Sequence, residues 1–235
     1  MNDKESKRAN VINELVETEK TLAEQLKNFI NAIVIPIREE KIISSEQQRT
    51  LFSNIETIAM VSEEIAIKLS EISEKETNQQ NFGEYIEKII PLLKCYSIYC
   101  SVIYQQEDLM KQLMNNKQFT YFIKLAYDNN KNNLGKVKLD GYLIKPMQRI
   151  TKYPLLLREL ISATEKDHPD FQNLENSYGI KKKRKRKRNL IYSNFFFFFI
   201  FLSFFYHFIF FLFFFIILFI FYFLNFFLIQ SFYFV

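Results

Sequence analysis

The chain has 235 residues and a formal net charge of +5, and its length suits one domain of ordinary size. Eight of its 31 basic residues form the run 181–188, so 31 − 8 leaves 23 basic residues against 26 acidic ones. One local run is not a basic face, which excludes a nucleic-acid-binding domain. Widely spaced glycines and the lack of a nucleophile–base pair argue against phosphate-binding loops and covalent catalysis.

The first predicted element is a long helix over residues 6–34, which Pro36 is expected to end. Apolar residues recur along it at three- and four-residue steps, the pattern of a helix with one core-facing stripe. Glu14, Thr18 and Gln25 belong to a separate polar face. The stripe consists of Val11, Leu15, Leu22, Leu26, Phe29 and Ile33.

The middle of the chain is also predicted to be helical. Ser45 suits the N-cap of a short helix, and Pro91 is expected to interrupt a longer one. The predicted helices cover 45–53, 55–73, 82–115 and 117–127, with a polar linker over 74–81 and an Asn-rich loop over 128–133.

Residues 139–160, LDGYLIKPMQRITKYPLLLREL, form the most distinctive segment. Apolar residues at helical spacing predict a buried face. A second face carries long basic and amide side chains, which suits either a partner surface or a merely solvated helix. The apolar face contains Leu143, Met147, Ile150, Tyr153, Leu157 and Leu160, and the second face contains Lys145, Gln148, Arg149 and Lys152.

A final helix is predicted to begin at Asp170, after the break at 167–169, and it stops at 177–179. No segment has a strong strand pattern. The predicted fold class is therefore all-α, an elongated multi-helix bundle followed by a Phe-rich hydrophobic tail.

The last part of the chain has a different composition. A basic linker is predicted over 179–194, and all but six of the 27 phenylalanines lie in 195–235. The tail is long enough for one membrane span, and preceding basic residues are typical of a cytoplasmic flank. The alternative is that the tail is not a genuine protein segment but the product of an unspliced intron or a misjoined gene model, because it lacks glycine and alanine. The basic run is also compatible with a nuclear-localisation or anionic-lipid patch.

Three segments resemble the signatures of the Dbl homology (DH) domain, the helical domain of Rho-family guanine nucleotide exchange factors. Residues 8–22 resemble the first signature, with Glu14-Leu15 followed by Thr18-Glu19-Lys20. Residues 96–100, YSIYC, resemble the second signature. Residues 142–157 resemble the third without a gap. The resemblance identifies residues 1–178 as a DH domain that lacks the end of its last helix.

The resemblance implies that the first and third signature helices pack side by side and bind the two switch regions of a Rho/Rac-family GTPase. Glu14 matches the residue that engages switch I, and Lys152 matches the lysine that engages switch II. Gln148 belongs to the same contact, and Arg149 and Lys145 are weaker candidates. Such a protein promotes GDP release without covalent chemistry or a cofactor of its own, in signalling to the actin cytoskeleton.

Two alternatives to an exchange factor remain because the last helix is incomplete. One is a non-catalytic, membrane-anchored GTPase-binding module, and the other is a helical scaffold. The charged N-terminal residues lack a secretory signal, and Cys95 and Cys100 are predicted to be free thiols without further metal ligands nearby. We therefore expect a cytoplasmic protein, or a membrane-anchored one if the tail is genuine.

Overall fold

The computed structural model describes residues 3–179, and all regular elements in this range are helical. The all-α prediction is confirmed here, whereas the predicted tail over 195–235 and nearly all of the linker lie outside the described residues. Twelve α-helices follow in chain order: α1 (Asp3–Phe29), α2 (Ile35–Glu39), α3 (Ser45–Phe52), α4 (Ile55–Ser73), α5 (Phe82–Ile89), α6 (Cys95–Ser101), α7 (Ile103–Leu113), α8 (Lys117–Asn129), α9 (Lys131–Leu134), α10 (Leu139–Leu143), α11 (Lys145–Ala163) and α12 (Phe171–Ser177).

Helix α1 is the central element of the core. It packs mainly against α4 and α11 and also contacts α9 and α10. Its apolar stripe is buried as predicted, and Leu26 and Phe29 are fully buried. The ring of Phe29 stacks on Tyr142 with centroids 4.8 Å apart, which joins the C-terminal end of α1 to α10. The stripe thus organises helices that are far apart in the sequence.

The prediction that Pro36 ends the first helix is wrong. The backbone continues through a π-helical turn, Ile30–Val34, into α2. Proline lacks an amide hydrogen, but it is tolerated in the first turn of a helix, and Pro36 lies in the first turn of α2. The wider turn is closed by the amide of Ile35, which donates to the carbonyl of Ile30.

The predicted long helix over 82–115 is divided twice. Pro91 separates α5 from α6 as expected, but a second break at Val102 separates α6 from α7. The two parts pack on different neighbours, α6 on α11 and α7 on α3. The buried amide of Gln106 donates to the Leu51 carbonyl at 3.1 Å. The break at Val102 thus coincides with a change of packing partner, which the local sequence does not encode.

Two further predictions near the third signature need correction. The Asn-rich segment is not all loop, because α9 includes Lys131 to Leu134 and the side chain of Leu134 is buried. The signature segment is not one helix, because a break at Ile144 separates α10 from α11. Pro146 lies in the first turn of α11, where its missing amide hydrogen does not remove a helical hydrogen bond.

The short helix α12 packs on α5 through a close backbone contact at Gly83. A Cβ atom at this position would lie 2.3 Å from the backbone nitrogen of Leu174, so only glycine fits. The Asp170 carboxylate accepts from the Gly83 amide at 2.9 Å, which caps the first turn of α5. After α12 the backbone reaches Gly179 at a φ of 78°, a conformation that favours glycine.

Residues 3–179 include no helix that combines the length and hydropathy needed to cross a bilayer. The predicted transmembrane segment falls on 195–235 and lies outside the described part of the chain.

Candidate functional site

The helices that carry the first and third signatures, α1 and α11, are joined by a buried ion pair. Arg149 of α11 is 4 % exposed and Glu19 of α1 is fully buried. The Nε of Arg149 donates to Glu19 Oε2 at 2.6 Å, and the Tyr153 hydroxyl donates to the same oxygen at 2.6 Å. The side-by-side packing that the resemblance implied is therefore present.

Arg149 also binds the turn of α1 that carries Glu14. Its Nη1 donates to Thr18 Oγ1 at 2.7 Å, and its Nη2 donates to the Leu15 carbonyl at 3.3 Å. The Thr18 hydroxyl donates to the Glu14 carbonyl at 2.6 Å. One guanidinium thus fixes α11 against the first signature segment.

The electrostatics of this cluster favour the charged guanidinium. Burial is the largest single influence on the pKa of Arg149 and lowers it, but the interactions with Glu19 and Tyr153 together outweigh burial, and the pKa is raised overall. Burial is also the main cause of the raised pKa of Tyr153, followed by the charge of Glu19. The phenol therefore stays a neutral hydrogen-bond donor. A paired and hydrogen-bonded buried charge can hold two helices in one register.

Three predicted contact residues point outward beside this cluster. Glu14, Gln148 and Lys152 are exposed, and their side chains make no hydrogen bond or ion pair within residues 3–179. Gln148 and Lys152 are four residues apart and therefore lie on one side of α11. Because Arg149 binds the α1 turn that contains Glu14, this turn lies next to the part of α11 that carries Gln148 and Lys152.

Lys145 occupies an intermediate position at the start of α11. It is half-buried, its Nζ lies 5.6 Å from the centre of the Tyr142 ring, and burial lowers its pKa. This cation–π contact gives Lys145 an internal neighbour, in contrast to the exposed Lys152.

Arg149 is separated from the other predicted contact residues. The sequence grouped it with Lys145, Gln148 and Lys152 on one helix face, but its side chain is turned into the bundle. Helical spacing explains the difference, because Arg149 lies between the buried Pro146 and Tyr153. Its position assigns it to the α1–α11 packing. Its role as a direct contact stays a prediction.

The sequence interpretation missed Glu19 and Leu155. Glu19 follows Leu15 by four residues and precedes Leu22 by three, so its spacing places it within the apolar stripe of α1. A charged residue at such a position indicates a buried, paired side chain. Leu155 is 50 % exposed and lies three residues after Lys152, next to it on the outer side of α11. Because Leu155 belongs to a run of three leucines, the sequence did not distinguish it from its buried neighbours. It adds an apolar group to the exposed surface beside Lys152.

Comparison with known sequences identifies the family. The profile of the RhoGEF domain matches residues 11–189. The chain is 34% identical over 172 residues to the RhoGEF domain-containing protein gxcJ of Dictyostelium discoideum, covering 73% of this chain and 14% of that protein. It is 33% identical over 189 residues to Rho guanine nucleotide exchange factor 38 of Mus musculus, covering 75% and 24%.

Solved structures share the fold. The DH/PH domains of p115-RhoGEF superpose with a TM-score of 0.68 at 21% identity, covering 76% of this chain and 50% of that one. A second structure contains the DH/PH domains of PDZ-RhoGEF in complex with GTP-gamma-S activated RhoA. It superposes with a TM-score of 0.66 at 20% identity, covering 76% of this chain and 51% of that one. These values define a DH-type helical domain.

The chain belongs to the RhoGEF domain family, also called the DH domain family. It spans about a seventh of the length of the Dictyostelium discoideum relative and about a quarter of the length of the Mus musculus relative.

Proposed function

We propose that this chain promotes GDP release from a Rho/Rac-family small GTPase, with signalling to the actin cytoskeleton as the consequence. The observation that carries the proposal is the pairing of α1 and α11 through Glu19 and Arg149. This pairing leaves Glu14, Gln148 and Lys152 exposed and without internal partners among the described residues. The family membership of the chain supports the same activity.

The mechanism follows from differential binding. A factor that binds the nucleotide-free GTPase more tightly than the nucleotide-bound form shifts the population toward the open state and speeds release. In the proposed complex, Glu14 contacts the first switch region, and Lys152 and Gln148 contact the second. No bond to this chain forms or breaks, because the nucleotide and its Mg²⁺ belong to the GTPase.

The test is nucleotide release from Rho and Rac GTPases loaded with a fluorescent GDP analogue, measured with the full chain. Glu14→Ala and Lys152→Ala should each slow release about 30-fold, because removing a central contact residue typically costs about 2 kcal/mol of binding. Their circular dichroism should remain that of the wild type, because both side chains are exposed.

Matched controls are Glu107→Ala and Lys166→Ala, which change exposed charges elsewhere in the described range and should leave release unchanged. Wild-type release rates from both site variants would contradict the assigned contacts. Tight binding of the nucleotide-free GTPase without accelerated release would instead support the non-catalytic binding module, whether or not the tail anchors it to a membrane. No preference for the nucleotide-free GTPase would support the helical scaffold.

We also propose a cytoplasmic location for this activity. Cys95 and Cys100 are free and partly buried, and burial raises the pKa of Cys100 to about 11. A thiol with a raised pKa is largely protonated and unreactive at neutral pH, which fits a reduced compartment. Fractionation of cells that express the full chain would test the location, and recovery in washed membranes would favour the anchored alternative.

A further inference from the structure

Helix α8 lies in a stretch of the chain that has an excess of basic residues. The segment between Leu109 and Leu139 contains six lysines, no arginine and a single acidic residue, Asp128. The chain outside the run 181–188 is slightly acidic, so this local excess contrasts with its surroundings. The lysines are Lys111, Lys117, Lys124, Lys131, Lys136 and Lys138, and all are exposed.

One side of α8 combines these charges with exposed apolar groups. Four exposed residues are spaced three or four positions apart along α8 and therefore share its outer side. They are Lys117, Tyr121, Lys124 and Leu125. Tyr121 is 70 % and Leu125 is 46 % exposed. The opposite side holds the buried Phe119, Phe122 and Ala126. We call the first four residues the α8 face.

The lysines of this face are available to a partner. The ammonium groups of Lys117 and Lys124 make no hydrogen bond or ion pair within residues 3–179. The nearby Asp128 lies 3.4 Å from Lys131, with which it forms an exposed ion pair, so it compensates a flanking lysine. Lys111 is paired in the same way with Asp108 at 3.4 Å. Asp128 lies four residues after Lys124 on the same side of α8, so the α8 face carries two lysines that are not ion-paired, beside one carboxylate that is paired with Lys131.

We propose that the α8 face contacts an anionic membrane surface. A helix face that combines lysines with exposed aromatic and aliphatic residues suits the headgroup region, where ammonium groups attract anionic lipids and apolar groups enter the interface. A protein partner fits less well, because protein interfaces are enriched in arginine and depleted of lysine. Lysine also offers a mobile point charge without the rigid fork that recognises one carboxylate.

The proposal predicts peripheral contact, independent of any membrane span. The experiment is flotation of the full chain with vesicles of phosphatidylcholine alone and with one quarter phosphatidylserine. Lys117→Gln/Lys124→Gln should weaken the phosphatidylserine-dependent binding about 30-fold, because each lysine near an anionic surface contributes roughly fivefold. The segments 181–188 and 195–235 are present in every variant and contribute equally.

The matched control is Lys75→Gln/Lys166→Gln, which removes two exposed charges outside this segment and should bind like the wild type. A second variant, Tyr121→Ser/Leu125→Ser, keeps all charges and should also bind phosphatidylserine vesicles several-fold more weakly. If the α8 variant and the control variant lost phosphatidylserine-dependent binding equally, the net charge of the chain would explain the binding, and the proposal would be overturned. Unchanged binding by both α8 variants would also overturn it.

The same proteins can be tested against soluble polyglutamate. Binding to the polymer that depends on Lys117 and Lys124, without binding to phosphatidylserine vesicles, would assign the face to an acidic protein and overturn the lipid proposal. GDP release from a soluble GTPase should be unchanged in the α8 variants, because the proposed exchange surface is formed by α1 and α11.

Discussion

The two buried arginines of this domain, Arg149 and Arg8, have the same exposed fraction of 4 % and different surroundings. All three nitrogens of the Arg149 guanidinium donate hydrogen bonds, and its carboxylate partner lies 2.5 Å away. Arg8 donates only through Nη1, to Gln80, while its Nε and Nη2 are buried without a partner in the described structure.

The pKa values of the two side chains move in opposite directions. Burial lowers the pKa of Arg8, and the charge of Asp170 compensates only in part. The pKa of Arg149 is raised despite burial, because its interactions with Glu19 and Tyr153 together exceed the effect of burial. Equal burial thus has different consequences, because the number and charge of the partners decide whether a buried charge is stabilised.

The largest predicted effect concerns Arg149. Arg149→Met should lower the free energy of unfolding by about 3–5 kcal/mol, because it leaves the carboxylate of Glu19 buried without a counter-charge. Denaturant unfolding followed by circular dichroism measures the change. The exposed Arg158→Met on the same helix is the matched control and should change stability by less than about 0.5 kcal/mol.

The double variant Glu19→Leu/Arg149→Met separates charge from packing. It leaves no buried charge between α1 and α11 at this position, so it should recover at least half of the stability lost by Arg149→Met. A double variant that is as unstable as the single one would mean that the hydrogen bonds of Arg149 to Thr18 and Leu15, rather than the ion pair, hold α1 against α11.

A smaller effect is expected at Arg8. Arg8→Met should cost about 1 kcal/mol, because one hydrogen bond to Gln80 and a ring contact with Phe82 at 6.0 Å are lost while the burial of two unpaired nitrogens is relieved. Methionine keeps the packing of the aliphatic stem. The same unfolding assay tests this, and a loss as large as that of Arg149→Met would refute the contrast between the two sites.

Sequence patterns predicted the helices well and the role of individual polar residues less well. Periodicity located the apolar faces of α1 and α11, because burial repeats with the helix turn. It could not assign Arg149, since a residue at the border between two faces turns inward only when a partner such as Glu19 is present on another helix. The break at Val102 was missed for a similar reason, because it depends on what α6 and α7 contact.

The Glu14, Gln148 and Lys152 assignments came from the family resemblance and not from periodicity. An exposed helix position has the same local signal whether it is solvated or binds a partner. The structure shows these side chains to be exposed, and the GDP-release rates of Glu14→Ala and Lys152→Ala distinguish the two roles.

The smallest predicted effect is a pH dependence at Asp170, the charge opposite Arg8. Burial raises the pKa of Asp170 above its usual 3.8, and hydrogen bonds from the Gly83 amide and the charge of Arg8 compensate only in part. The pKa of Asp170 is thus higher in the folded protein than in the unfolded chain, where it is near 3.8. Its contribution to stability is therefore fully present below pH 3.8. The contribution is lost as the pH rises through the raised pKa of the folded protein.

Asp170→Asn should remove this loss, so the stability of the wild type relative to the variant should decrease as pH rises from about 3.5 to 6. Asparagine can still accept from the Gly83 amide, which limits the change at low pH. Denaturant midpoints across this range measure the difference, and the exposed Asp167→Asn is the control. A wild type that gains stability relative to Asp170→Asn as pH rises would show that Arg8 outweighs burial at Asp170, and the two buried arginines would then act alike.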